Sequence, residues 1–318
     1  MQFRILGPPD LLDEERRLRA PLTSPKQRRL LGALLARPNA PVPREELVRE
    51  VWGGDRTPKH ARAALGAHVA GLRSAIAAVE GPGGARARLT AGPDGLLLRV
   101  AAAETDSGRF GLAVARAARL RRTDPEDAYT VLRGALPLWR GAVLGGGGGP
   151  HGPLCAALAD GLRDERHRAL GMLFDTALRT GRHREVVPEL REAIAAHPLC
   201  ERFHDQLMLA LCRSGRSGEA IGVYTEARRR LTEAHGHTPL LRARLEQIST
   251  RAPELSGEAA GEYPVLPAPR PPLDGPARTG RERFAARERE RGAGPAERSV
   301  LGFLTDLLSG RELYSGGG

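Results

Sequence analysis

Cysteine is scarce. Cys155, Cys200 and Cys212 are the three in 318 residues, and they form neither a Cys-x-x-Cys pair nor a Cys/His metal spacing. That excludes a disulfide framework and leaves a reducing, cytoplasmic compartment as the expectation. No apolar run reaches the ~18 residues of a membrane span, and the opening stretch Met1-Gln2-Phe3-Arg4-Ile5-Leu6-Gly7 lacks the apolar segment of a signal peptide. Catalytic signatures are missing as well. The glycine run Gly145–Gly149 is followed by no Gly-Lys-Ser/Thr and preceded by no strand, so it reads as a flexible connector rather than a phosphate cradle. His183, His204, His235 and His237 have no ligand spacing. The expectation is a protein that is not an enzyme and takes no cofactor and no metal.

What is present is positive charge. Lys+Arg number 49 against 38 Asp+Glu, a net charge of +11 carried by arginine far more than lysine. The excess is +7 over residues 1–100, +5 over 101–251 and −1 over 252–318. A basic N-terminal third suits a polyanion partner such as DNA or RNA. At ~150 residues per domain, the length suggests two domains.

The stretch Thr57-Pro58-Lys59-His60-Ala61 onward to Ile76 is the organising one. Leu65, Val69, Leu72 and Ile76 fall on one helical stripe. Arg62 and Arg73 flank it, and Lys59, His60, Ala63, Ala67, Ala70 and Ser74 face the other way. Around it, Phe3–Leu6 and Leu18–Leu22 read as short strands. Ser24-Pro25 opens a helix with Ser24 as N-cap, its core side Leu30, Leu31, Leu34 and Leu35, and Arg37-Pro38-Asn39 stops it. A second helix runs from about Pro43 to Trp52, closed by Gly53-Gly54. Downstream, 88–91 and 96–100 flank Gly92-Pro93-Asp94-Gly95, a hairpin signal. Strands, three helices and a hairpin give the order of a winged helix-turn-helix, in which the third helix enters the major groove.

Lys26-Gln27-Arg28-Arg29-Leu30-Leu31, Val51-Trp52-Gly53, His68-Val69 with Leu72-Arg73, and Leu138-Trp139-Arg140-Gly141 resemble the Streptomyces antibiotic regulatory protein family over about residues 1–251. The resemblance implies a response-regulator-type winged helix joined to a bacterial transcriptional activation domain. It implies binding to double-stranded DNA at promoter direct repeats of secondary-metabolite (antibiotic) clusters, recruitment of RNA polymerase, and a cytoplasmic, nucleoid-associated place. A homodimer on DNA is part of that expectation. The family's larger members carry an ATPase module, for which this chain has no sequence.

The expected DNA contacts are Lys26, Arg28 and Arg29 at a helix N-terminus, Lys59, Arg62, Arg73 and Ser74 on the third helix, and Thr90, which matches a phosphate-approaching wing residue. His68 matches a backbone-contacting position, and equally borders the core stripe. Family members commonly carry Asn-Thr-Leu-Gln where this chain has Ala63-Ala64-Leu65-Gly66, Arg at Gly71, Tyr at Leu96, and a basic wing residue around Ala91-Gly92. Alanine reads a base edge only through the thymine methyl, and each missing bidentate contact forfeits ~1–3 kcal/mol of discrimination. Gly66 and Gly71 weaken the helix by up to ~1 kcal/mol each.

Past residue 100, Arg179-Thr180-Gly181-Arg182 recurs as Arg213-Ser214-Gly215-Arg216, 34 residues on, the tetratricopeptide period. Ala220, Tyr224 and Ala227, and in the same phase Val186, Leu190 and Ala193, read as second helices of such repeats, with Ala128, Leu132 and Ala135 as a further one. The stacked pairs either present a groove to a protein partner or simply pack on the winged helix. From 252 the chain turns Pro-, Arg- and Glu-rich, a disordered tail, with a short amphipathic helix expected over 299–314 as a docking helix, a partner-binding segment or a disordered end.

The expected architecture is therefore an α+β winged helix over 1–100, an all-α tetratricopeptide-like domain over 101–251 and a tail over 252–318. The expected function is a DNA-binding transcriptional activator. The alternative is a helical-repeat adaptor with a degenerate winged helix that does not read sequence.

Overall fold

A computed structural model describes residues 1–53, 57–146, 152–252 and 255. The expected tail helix and most of the glycine run lie outside these residues. Two compact units are described. Of the described residues, the first takes Met1–Ala115 and Ala135–Glu165, the second Arg116–Gly134 and those from Arg166 to Leu255.

The first unit opens with an antiparallel sheet of β1 (Gln2–Arg4), β2 (Asp10–Asp13) and β3 (Leu18–Pro21), with β2 in the middle. Phe3 pairs with Leu11 and Leu11 with Ala20. Phe3 and Leu11 are fully buried. β2 was not among the expected strands: Asp10-Leu11-Leu12-Asp13 is short, does not alternate, and buries an aspartate. Asp10 accepts hydrogen bonds from Arg4 and Arg19. Burial opposes its charge, but the two guanidiniums outweigh that and hold the carboxyl below its ordinary range.

Three helices follow: α1 (Pro25–Ala36), α2 (Arg44–Trp52) and α3 (Ala61–Arg88). Leu30, Leu31, Leu34 and Leu35 of α1, and Leu47, Val48, Val51 and Trp52 of α2, are buried as their periodicity requires. Ser24 is the N-cap residue of α1, but its hydroxyl makes no capping hydrogen bond; its carbonyl accepts from Arg28 N. α3 starts at Ala61, so Thr57, Pro58, Lys59 and His60 precede the helix they were expected to open. The helix breaks at Gly81 (φ 84°), ahead of Pro82, which has no amide proton to continue the ladder. The wing is β4 (Leu89–Gly92) paired with β5 (Gly95–Leu98) across Pro93-Asp94. Gly95 sits at φ +134°, and a Cβ there would overlap the Val42 carbonyl. That close approach lets Val42 exchange both backbone hydrogen bonds with Leu96, at 2.8 and 3.0 Å.

Two buried carboxylates tie later chain into this unit. Asp106, at the start of α4 (Asp106–Leu120), accepts from Ile5 N at 2.8 Å and Leu6 N at 2.9 Å. Arg140 N donates to Leu6 O at 2.6 Å, and its guanidinium reaches Pro8 O and Asp106. The Leu138–Gly141 motif is thus a clasp on the end of β1, with Trp139 stacked edge-on against Phe110. Glu50 of α2, fully buried, accepts from Leu154 N at 2.7 Å and Cys155 N at 3.3 Å. These are the orphan donors at the N-terminus of α6 (Pro153–Arg179), whose dipole favours an anion there.

The second unit is helical. It holds most of α5 (Pro125–Ala135) and α6, together with α7 (Val187–Ala196), α8 (Glu201–Arg213), α9 (Ser217–His235) and α10 (Pro239–Ser249). α8 packs on α7, α9 and α10. The 34-residue repeat is visible in its turns. Gly181 and Gly215 both sit at φ 76°, and the next residue of each donates back to the carbonyl five before it, Arg182 N to Ala177 O at 2.8 Å and Arg216 N to Leu211 O at 2.9 Å. Ala128, Leu132, Val186, Leu190, Ala193, Ala220 and Ala227 are buried, while Tyr224 is half-buried. At the centre, Arg244, 1% exposed, pairs with Asp205 at 2.7 Å.

Candidate nucleic-acid interface

α3 presents the arrangement its sequence implies. Leu65, Val69, Leu72 and Ile76 are buried, joined by Val79. On the other side Ala63, Gly66, Ala67, Ala70 and Ser74 are exposed. The outward face is therefore nearly free of polar side chains.

Most of the cations expected to meet DNA are engaged within the protein. Lys26 lies 5.1 Å above the Trp52 ring. Arg28 donates to Leu22 O at 2.7 Å and Thr23 O at 3.2 Å, and Arg29 to Val51 O at 3.1 Å. These bonds fix the two guanidiniums at the first turn of α1. Lys59 is exposed in the turn before α3. Arg62 pairs with Glu45 at 2.6 Å, both exposed, so solvent and salt screen the pair. Arg73 is half-buried and donates to Leu89 O, binding the recognition helix to the wing. Thr90 is half-buried in β4.

His68 resolves into a packed position. Its ring centroid is 5.6 Å from that of Trp52. Burial, aided by Lys26, lowers its pKa. Trp52 thus joins the end of α2, the start of α1 and the middle of α3.

Three contributors escaped the sequence. Asn39, left-handed at φ 62°, accepts from Val100 N and donates to Val100 O, both at 2.9 Å, anchoring the end of the wing. The Pro-Asn dipeptide signals a turn but not that reach. Glu50 is buried between the apolar positions of α2, where its partners come from distant chain. Gln27 lies against Gly71, a contact no spacing rule reveals. Among the described residues no group of three His, Cys, Asp or Glu side chains could hold a metal ion, and no helix is long and apolar enough to cross a membrane.

Comparison with known proteins bears on this geometry. Residues 19–84 match the model of the transcriptional regulatory protein C-terminal domain, and residues 105–248 that of the bacterial transcriptional activator domain. The transcriptional regulator RedD of Streptomyces coelicolor is 33% identical over 246 residues, covering 76% of this chain and 69% of RedD. The chain belongs to the Streptomyces antibiotic regulatory protein family. The regulatory protein AfsR of the same organism is 34% identical over 82% of this chain, which spans only 26% of AfsR. Among solved structures, Mycobacterium tuberculosis EmbR in complex with a low-affinity phosphopeptide superposes with a TM-score of 0.71 at 28% identity, covering 79% of this chain and 65% of that one. A family member of this kind carries a DNA-binding winged helix and a helical activator domain, and is a transcription regulator.

Proposed function

We propose that this protein is a pathway-specific activator of a secondary-metabolite gene cluster. Residues 1–100 bind promoter direct repeats, residues 101–251 recruit RNA polymerase, and the protein acts without catalysis in the cytoplasm, at the nucleoid. The carrying observation is the exposed face of small residues on α3, with cations at the first turn of α1, in the turn before α3 and on α3 itself. Lys26, Arg28, Arg29, Lys59, Arg62, Arg73, Ser74 and Thr90 suit phosphates along the walls of one major groove. His68 acts through Trp52 packing. A direct repeat suits two copies arranged head to tail, each reading one half-site.

The bare outward face of α3 favours a second reading, a helical-repeat adaptor whose winged helix holds DNA without reading it. In vitro transcription from a promoter bearing the bound repeat separates the two. The activator raises transcript yield with purified RNA polymerase, and scrambling the repeat abolishes the effect. Unchanged yield on the intact promoter refutes activation.

A further inference from the structure

Of the four consecutive polar residues opening α1, Gln27 is turned onto the recognition helix. Lys26 lies on Trp52, while Arg28 and Arg29 hold backbone carbonyls. The Gln27 amide lies across α3 at Gly71, where a Cβ would overlap Gln27 Nε2. The missing side chain of Gly71 is thus the space the amide occupies. Among the described residues no hydrogen-bond partner engages the amide, so both its donors and its acceptor remain available.

Depth decides what it meets. Ala63, Gly66, Ala67 and Ala70 project little from the outward face of α3, so the helix backbone can approach the groove floor closely. An amide on the shoulder of a sunken helix comes level with base edges. A phosphate would use only its donors, whereas adenine uses the donor at N7 and the acceptor at N6 together.

We propose that Gln27, supplied by α1 and seated on Gly71, is a specificity-determining residue that reads an adenine edge in the major groove. This rests on the DNA-binding reading above. It assigns sequence recognition to a residue outside the recognition helix.

The test uses the full chain as wild type, Q27A, G71A and the double variant. Each is equilibrated with a random-sequence duplex library, the bound DNA is sequenced, and affinities for the enriched and a scrambled duplex are measured. Wild type should enrich adenine at one position of each half-site. Q27A should lose about 5- to 150-fold of the discrimination there, with affinity for the scrambled duplex nearly unchanged. G71A should lose preference at the same position, because its methyl displaces the amide, and the double variant should lose no more. Alanine favours the helix over glycine, so unfolding does not explain that result. Preference that survives Q27A overturns the proposal. So does an equal loss on both duplexes, which marks a phosphate contact, or wild-type binding without base preference. Wild type that binds no duplex overturns the DNA-binding reading itself.

Discussion

The Arg73 guanidinium donates to the Leu89 carbonyl from Nε at 3.2 Å and from Nη2 at 3.0 Å. One side chain thereby joins the recognition helix to the first strand of the wing. Arg73→Ala should lower stability by about 1–2 kcal/mol, the range of a charge-assisted hydrogen bond on a half-buried surface. It should weaken DNA binding on every sequence alike, because wing and helix lose their mutual register. Thermal melting and anisotropy titrations on two unrelated duplexes check both; a defect confined to one duplex would show that Arg73 reads bases.

Glu50 should reveal itself through pH. Burial raises its pKa above the ordinary carboxylate value, although the Leu154 and Cys155 amides pull the other way. A raised folded-state pKa contributes stability that is full at low pH and is lost as pH rises through that pKa. Wild type should therefore gain stability relative to Glu50→Gln as pH falls from 7 toward the ordinary carboxylate value of 4.5. Urea midpoints across that interval measure it, and a constant difference contradicts it. Glu50→Ala should cost about 1–3 kcal/mol by leaving the α6 amides unpaired.

Arg244 and Asp205 form a buried pair. Burial raises the Asp205 pKa against the pull of Arg244. Arg244→Ala strands the carboxylate and should destabilise the helical unit by about 3–5 kcal/mol, whereas replacing both partners by apolar residues of similar volume should recover most of the loss. Denaturant unfolding of the two variants decides it; a double variant no better than the single shows that the pair is needed for more than mutual neutralisation.

Gly95→Ala should disrupt the wing. The residue sits at φ +134°, and its Cβ would overlap the Val42 carbonyl. Strain of about 1–3 kcal/mol is expected, and amide exchange should quicken at Val42 and Leu96, whose hydrogen bonds depend on the close approach. Unchanged exchange there refutes the role.

The helices and the wing were legible because apolar periodicity and turn chemistry are local signals: Leu65 to Ile76 in α3, and Pro93-Asp94 between glycines. The repeat was legible because Gly181 and Gly215 need the same left-handed turn. β2 was not, because its burial of Asp10 depends on arginines from two other segments. α3 starts later than the stretch opened at Thr57 implies, because the chain stays non-helical through His60. For the interface, sequence identified the candidate cations but not their intramolecular partners. Arg28, Arg29 and Arg73 each hold a carbonyl whose position only tertiary structure determines. Gln27 on Gly71 and Glu50 on α6 are likewise contacts between distant elements.

The most direct test of DNA recognition is selection of duplexes from a random library by the full chain, followed by titration of the enriched and a scrambled duplex at rising salt. The account predicts an enriched motif repeated in the same orientation at a spacing of one helical turn, ~10–11 bp, or a multiple. It also predicts a preference for the enriched duplex that persists as salt weakens both complexes. Equal affinity for both duplexes at every salt concentration would contradict it.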